Sequence, residues 1–135
     1  YVTHDKPRTY SGMLAVSGAP FLFNTLAAFV LFTGCSYFLV KNGYPASRET
    51  MIKLGLVSWI GVATGLRAFP SETDIGNIWG VTKESMPSVG AILGLPIVTV
   101  LYILDRTRRI KSHYFYTGLL AYLGYRFAVF ILAAG

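Results

Sequence analysis

Charge is scarce in this chain, and acidic charge is scarcer still. Six Asp and Glu stand against twelve Lys and Arg, and charged residues make up 13% of 135, about half the roughly 25% of a soluble domain. A water-facing surface cannot be built from so little, so composition excludes an ordinary soluble enzyme. Cysteine is nearly absent: Cys35 stands alone inside an apolar run and can close no intrachain disulfide. Only two histidines occur, His4 and His113, and both flank apolar runs, which sets aside a haem held by two intramembrane histidines. No Asp or Glu falls inside the long apolar runs, so the buried carboxylate used by proton and cation pathways is missing. The sequence offers no catalytic constellation and no metal-ligand cluster, and no basic patch stands apart from the apolar runs, so nucleic acid is not an expected partner.

What the chain does have is hydrophobic length. Hydrophobic residues make up 53% and the mean hydropathy is +0.52. The charges cluster and leave apolar windows between them, the pattern expected when lipid is the solvent. We therefore expect an all-α integral membrane protein, a bundle of four transmembrane helices over about 19–40, 51–69, 87–104 and 114–134. The membrane domain would cover 19–135, behind an extra-membrane arm over 1–18 that holds His4, Asp5, Lys6, Pro7 and Arg8. A start at Tyr1 is compatible with a removed presequence.

From Ala19 to Val40 there is no charge, and at about 1.5 Å per residue this run spans a hydrocarbon core of roughly 30 Å. Pro20 suits its first turn. Lys41, Asn42, Gly43, Tyr44 and Pro45 end it, and Ser47 and Thr50 near Glu49 can cap the next helix. In the second run Lys53 and Arg67 leave only Leu54 to Leu66 uncharged, and both charges sit where side chains can snorkel outward. Pro70 to Glu84 mixes acids with Gly76, Asn77 and Gly80, which reads as a loop with a turn of surface helix around Trp79. Pro96 is expected to kink the third helix between Ile92 and Pro96. Asp105, Arg106, Arg108, Arg109 and Lys111 then form a basic connector to the fourth. By the positive-inside tendency the connectors holding Lys41, Arg48 and Lys53 and holding Arg106 to Lys111 share the cytoplasmic or matrix side, opposite Lys6, Arg8, Arg67 and Lys83.

Arg126 lies in the middle of the last apolar run. A central Arg costs at least about 2.5–3.5 kcal/mol unless paired or hydrated. With no acid at its depth, its partner would be a carbonyl, crevice water, a lipid phosphate or a carboxylate of another chain; the plainer alternative is snorkelling along Tyr122 or Phe130. Tyr122, Tyr125 and Trp59 lie deep enough to need hydrogen-bond partners, with Asn24 and Ser58 as candidates. Arg126, Tyr122 and Tyr125, together with Arg106, Arg108, Arg109 and Lys111, form the candidate contacts to other membrane subunits or to an anionic phospholipid, cardiolipin included. Gly61 with Gly65 and Gly90 with Gly94 have the four-residue spacing of close helix packing, and Gly124 with Ala128 is a weaker version. Packing within the bundle explains them most simply.

In length, helix count and Arg content the chain resembles the glutathione-using membrane enzymes of eicosanoid metabolism, yet the segment from Gly61 to Pro70 has only Arg67 in place of their Arg, Asn and Glu cluster. The first-helix glutamate of small multidrug antiporters is also missing. These readings lead to a non-catalytic accessory subunit of a multi-subunit membrane complex, of the respiratory chain or ATP synthase in the mitochondrial inner membrane. The alternative is a small membrane enzyme or carrier for a lipid or quinone, with Arg126 holding an anionic group.

Overall fold

The computed structural model describes residues 10–43, 47–69, 71–86, 88–107 and 111–135. Five helices follow one another: α1 Tyr10–Asn42, α2 Arg48–Leu66, α3 Glu72–Glu84, α4 Val89–Thr107 and α5 Ser112–Ala134. About 90% of the described residues are helical and none is in a strand. Two segments, Leu14–Asn42 and Ser112–Ala134, are long and apolar enough to cross a membrane, which favours a membrane location.

α1 starts at Tyr10, well before the expected Ala19, and Pro20 lies inside it rather than in its first turn. The stretch from Tyr10 to Gly18 carries no charge, so nothing stops the helix there, and Pro20 removes a single N–H. The remainder of the expected arm, 1–9, lies outside the described residues. Gly43, at φ 71°, ends α1 by donating its N–H to Leu39 O at 3.0 Å. Ser47 caps α2 as expected: its Oγ accepts from the Thr50 N–H at 3.3 Å. Glu49 and Lys53 pair across the first turn at 2.6 Å, fully in the open, where such a pair contributes little.

The expected loop over 70–84 is instead largely the helix α3. Its Gly and Asn residues suggested a loop, but Ile75, Ile78 and Thr82 recur on one buried face while Gly76, Asn77 and Lys83 stay exposed, which makes the segment amphipathic. That face packs on α4: Ile78, Val98 and Leu101 form a buried cluster with Leu14, Phe21 and Trp79 against it. The Trp79 and Tyr102 rings stack at 5.2 Å. α4 remains helical through Pro96.

The chain divides into two compact units, one from the described parts of Tyr1–Leu22 and Phe69–Ile110, the other from Phe23–Ala68 and Lys111–Gly135. The first holds the cluster just described. The second contains the C-terminal part of α1 with α2 and α5. At one end of it the Asn24 side chain donates to Arg67 O at 3.1 Å, and the hydroxyls of Thr25 and Tyr116 lie 2.6 Å apart. Farther along, Cys35 Sγ reaches Leu54 O at 3.9 Å, and a groove is lined by Thr33, Tyr37, Phe127 and Ile131. α2 therefore runs antiparallel to α1, and α5 runs parallel to it. Lys111 therefore stands at the opposite end of this unit from Lys41 and Lys53.

Small residues fill the inside of this second unit: Ala28, Gly61, Gly65, Thr117, Gly124 and Ala128 are buried, with Phe32 and Leu120 between them. Large apolar side chains such as Phe23, Leu26, Leu56, Trp59, Phe115 and Phe130 point outward. Small-inside and large-outside is how helices pack in lipid, and so continuous an apolar exterior is foreign to water.

Candidate functional site

On the outward face of α5, Arg126 Nη1 donates to the Tyr122 hydroxyl at 3.1 Å, with the guanidinium carbon 6.0 Å from the ring centroid. Residues four apart share a helix face, so Tyr122 reaches Arg126 from one turn nearer the start of α5. Both side chains are exposed. The structure thus brings together two of the expected contact residues. Tyr125 is exposed on the same helix but is not part of this pair. Arg106 is exposed near the end of α4 in the first unit, and Lys111 is exposed just before α5, in the left-handed region at φ 59°. Arg108 and Arg109 lie outside the described residues.

The glycines have clear neighbours. A Cβ on Gly61 would meet the Phe32 ring at 3.1 Å, and one on Gly65 would meet Thr117 Cγ2 at 2.9 Å. Both face neighbours within the second unit. Gly94 is buried in α4; the packing of Gly90 lies outside the described residues. Gly124, ranked behind those pairs by sequence, makes a close approach to backbone: a Cβ there would stand 3.0 Å from the Thr33 nitrogen.

Two hollows escaped the sequence reading. In the first unit an apolar cavity of about 680 Å³ is lined by Leu14, Gly18, Leu22, Pro96, Val100 and Leu101 among others. In the second, a partly polar cleft of about 550 Å³ is lined by Asn24, Trp59, Ile60, Ala63, Thr64 and Arg67. The α2 residues of that cleft recur at three, four, seven and eight positions before Arg67, a helical stripe that was available in the sequence. That Asn24 faces it from α1 was not. The free Cys35 is buried, and among the described residues no group of three His, Cys, Asp or Glu could hold a metal ion.

Fold and site together define a class, an all-helical protein with two candidate membrane spans. No protein-family model, curated protein or solved structure matches the chain.

Proposed function

We propose that the chain is a non-catalytic accessory subunit of a multi-subunit membrane assembly, meeting its neighbours through the outer face of α5. The observation that carries this reading is the Arg126–Tyr122 pair, a cation on the outward face well inside a candidate span. A phenol hydroxyl relieves only part of the desolvation of a guanidinium, and a charge at that depth favours a face that meets protein or lipid phosphate rather than acyl chains. The small-inside, large-outside packing supports a body that is complete in itself and apolar toward its surroundings.

Three crossings, rather than the expected four, fit the helix directions. In four alternating spans the last runs opposite to the first, whereas α5 runs along α1. The end of α2 and the start of α5 share one end of the second unit, so the intervening segment returns to the side it left. α3, at about 20 Å, is too short to carry the chain across a core of roughly 30 Å.

The test is Arg126→Leu. A chain extracted in mild detergent from its own membranes is expected to migrate on native gels within a larger assembly, and the variant is expected to be released from it while keeping its helix content and thermal stability. Unchanged migration of the variant, or a parent chain that migrates alone, would overturn the proposal. The apolar cavity of the first unit favours a second reading, a carrier or enzyme for a lipid or quinone. A stoichiometric apolar ligand on a solitary purified chain would favour it.

A further inference from the structure

We infer that the cleft formed by Asn24, Trp59, Ile60, Ala63, Thr64 and Arg67 is a binding site for one anionic phospholipid, its phosphate at Arg67 and one acyl chain along Ile60 and Trp59. This rests on the reading that the second unit lies in a membrane.

The cleft has the polarity gradient of such a lipid. Arg67 closes the C-terminal end of α2, its N–H donating to the carbonyls of Ala63 and Thr64 at 3.3 and 3.2 Å. Its guanidinium is exposed, and neither Glu49 nor Glu84 pairs with it. Thr64 lies one turn before it on the same face, and Asn24 closes the opposite wall, its amide anchored on Arg67 O at 3.1 Å. That bond uses one amide hydrogen and leaves a second donor on Asn24 Nδ2. Arg67, Thr64 and Asn24 therefore gather a fixed positive charge and neutral donors at the end of a helix, the level of headgroups in a bilayer.

About two turns deeper than Arg67 the lining changes character. Ile60 is 49% exposed and Trp59 69% exposed, and both continue the stripe that ends at Arg67. Trp59 lies about 12 Å below Arg67 along the helix, beyond the interfacial belt where Trp is ordinarily at home. An acyl chain lying in the cleft would cover its ring. Charge complementarity selects the ligand class: the residues that line the cleft include a cation and no carboxylate, which favours an anionic phosphate over a zwitterionic headgroup, whose ammonium would find no partner among them.

Trp59 makes the site measurable. In a Trp79→Phe background it is the sole tryptophan, and lipids brominated on their acyl chains quench it on contact. The chain would be reconstituted in bilayers of phosphatidylcholine with increasing brominated phosphatidylglycerol, and separately with brominated phosphatidylcholine. Half-maximal quenching is expected at about a fivefold lower fraction of the anionic lipid, the preference that one basic residue near a headgroup supports. Arg67→Gln should abolish the preference and Arg67→Lys should keep most of it, with equal helix content by circular dichroism. Inorganic phosphate at millimolar concentration should not displace the lipid. Equal quenching by the two lipids, a preference that survives Arg67→Gln, or displacement by free phosphate would each overturn the site. No quenching by either lipid would instead overturn the membrane reading on which the site rests.

Discussion

Gly124 of α5 lies against the backbone of α1 at Phe32: a methyl group on Gly124 would stand 3.0 Å from Phe32 Cβ and 3.0 Å from the Thr33 amide nitrogen. The Phe32 ring points to α2, where a methyl group on Gly61 would meet its edge at 3.1 Å. One phenylalanine thus sits between two glycines on two different helices, and each glycine admits a different part of it.

The two contacts should respond differently to an added methyl group. Backbone on α1 cannot yield without moving the helix, so Gly124→Ala is expected to destabilise the chain by about 1–3 kcal/mol. A ring edge can tilt, and Gly61→Ala should cost less. Gly118 of α5 has open space beside it, and Gly118→Ala should stay within about 0.5 kcal/mol of the parent. Unfolding in mixed micelles gives the order; equal effects at Gly124 and Gly118 would deny the close approach.

Gly65 offers a sharper test because its neighbour is held in place. Thr117 Oγ1 donates to His113 O at 2.8 Å, which fixes the rotamer that sets Cγ2 2.9 Å from a Cβ at position 65. Gly65→Ala should therefore destabilise, and Thr117→Ser, which deletes Cγ2 but keeps Oγ1 3.1 Å from that Cβ, should rescue it in part. A coupling of about 1 kcal/mol in the double-mutant cycle is expected; purely additive effects would show that the two residues do not meet.

How much of this was legible follows from what each feature depends on. The charge-free run from Ala19 to Val40 and the cap at Ser47 depend on local sequence, and both are seen. In sequence α3 resembles a loop because Gly76, Asn77 and Gly80 outweigh a short stripe of Ile75, Ile78 and Thr82, and that stripe gains its weight only from packing such as that of Ile78 on Val98 and Leu101. Glycine spacing marked Gly61 and Gly65 as packing residues, but which glycine would touch backbone depends on helix crossings that no spacing encodes. The Arg126–Tyr122 pair was legible from its four-residue spacing. The cleft at Arg67 was not, since one wall comes from α1 and the other from α2.

Thr25 and Tyr116, brought together at 2.6 Å, tie the first turns of α5 to the middle of α1. Hydrogen bonds between helices in a bilayer contribute about 0.6 kcal/mol on average and at most about 1.7. Tyr116→Phe and Thr25→Val should each lower stability within that range, and the double variant should lose little more than the worse single one. Full additivity would mean that the hydroxyls bond elsewhere.

Thr33 presents the opposite case. Its Oγ1 is buried with no hydrogen-bond partner among the described residues, and an unsatisfied hydroxyl costs about 1–3 kcal/mol. Thr33→Val keeps the shape and removes the hydroxyl, so the thermal midpoint in detergent should rise or hold. A clear fall would show that the hydroxyl has a partner in the folded protein.

The direction of α5 has the widest consequence, because it decides which ends of the chain face which compartment. Asn24 with Arg67, and Thr25 with Tyr116, place the start of α5 beside the end of α2. Cys35 with Leu54 places the start of α2 farther along α1, toward the end where α1 finishes. If the three helices cross a bilayer, Arg48 and Ala134 face one side, and Ser71 and Lys111 face the other. Four alternating spans would group them differently, with Arg48 beside Lys111 and Ser71 beside Ala134. All four positions are exposed, so single cysteines can be placed there in a Cys35→Ala background, the native thiol being buried and the only one in the chain. Labelling sealed vesicles with a membrane-impermeant maleimide, before and after permeabilisation, is expected to pair 48 with 134 and 71 with 111. Should 48 label together with 111, α5 runs opposite to α1, and the contacts of Tyr116 with Thr25 and of Gly124 with Phe32 would have to fail with it.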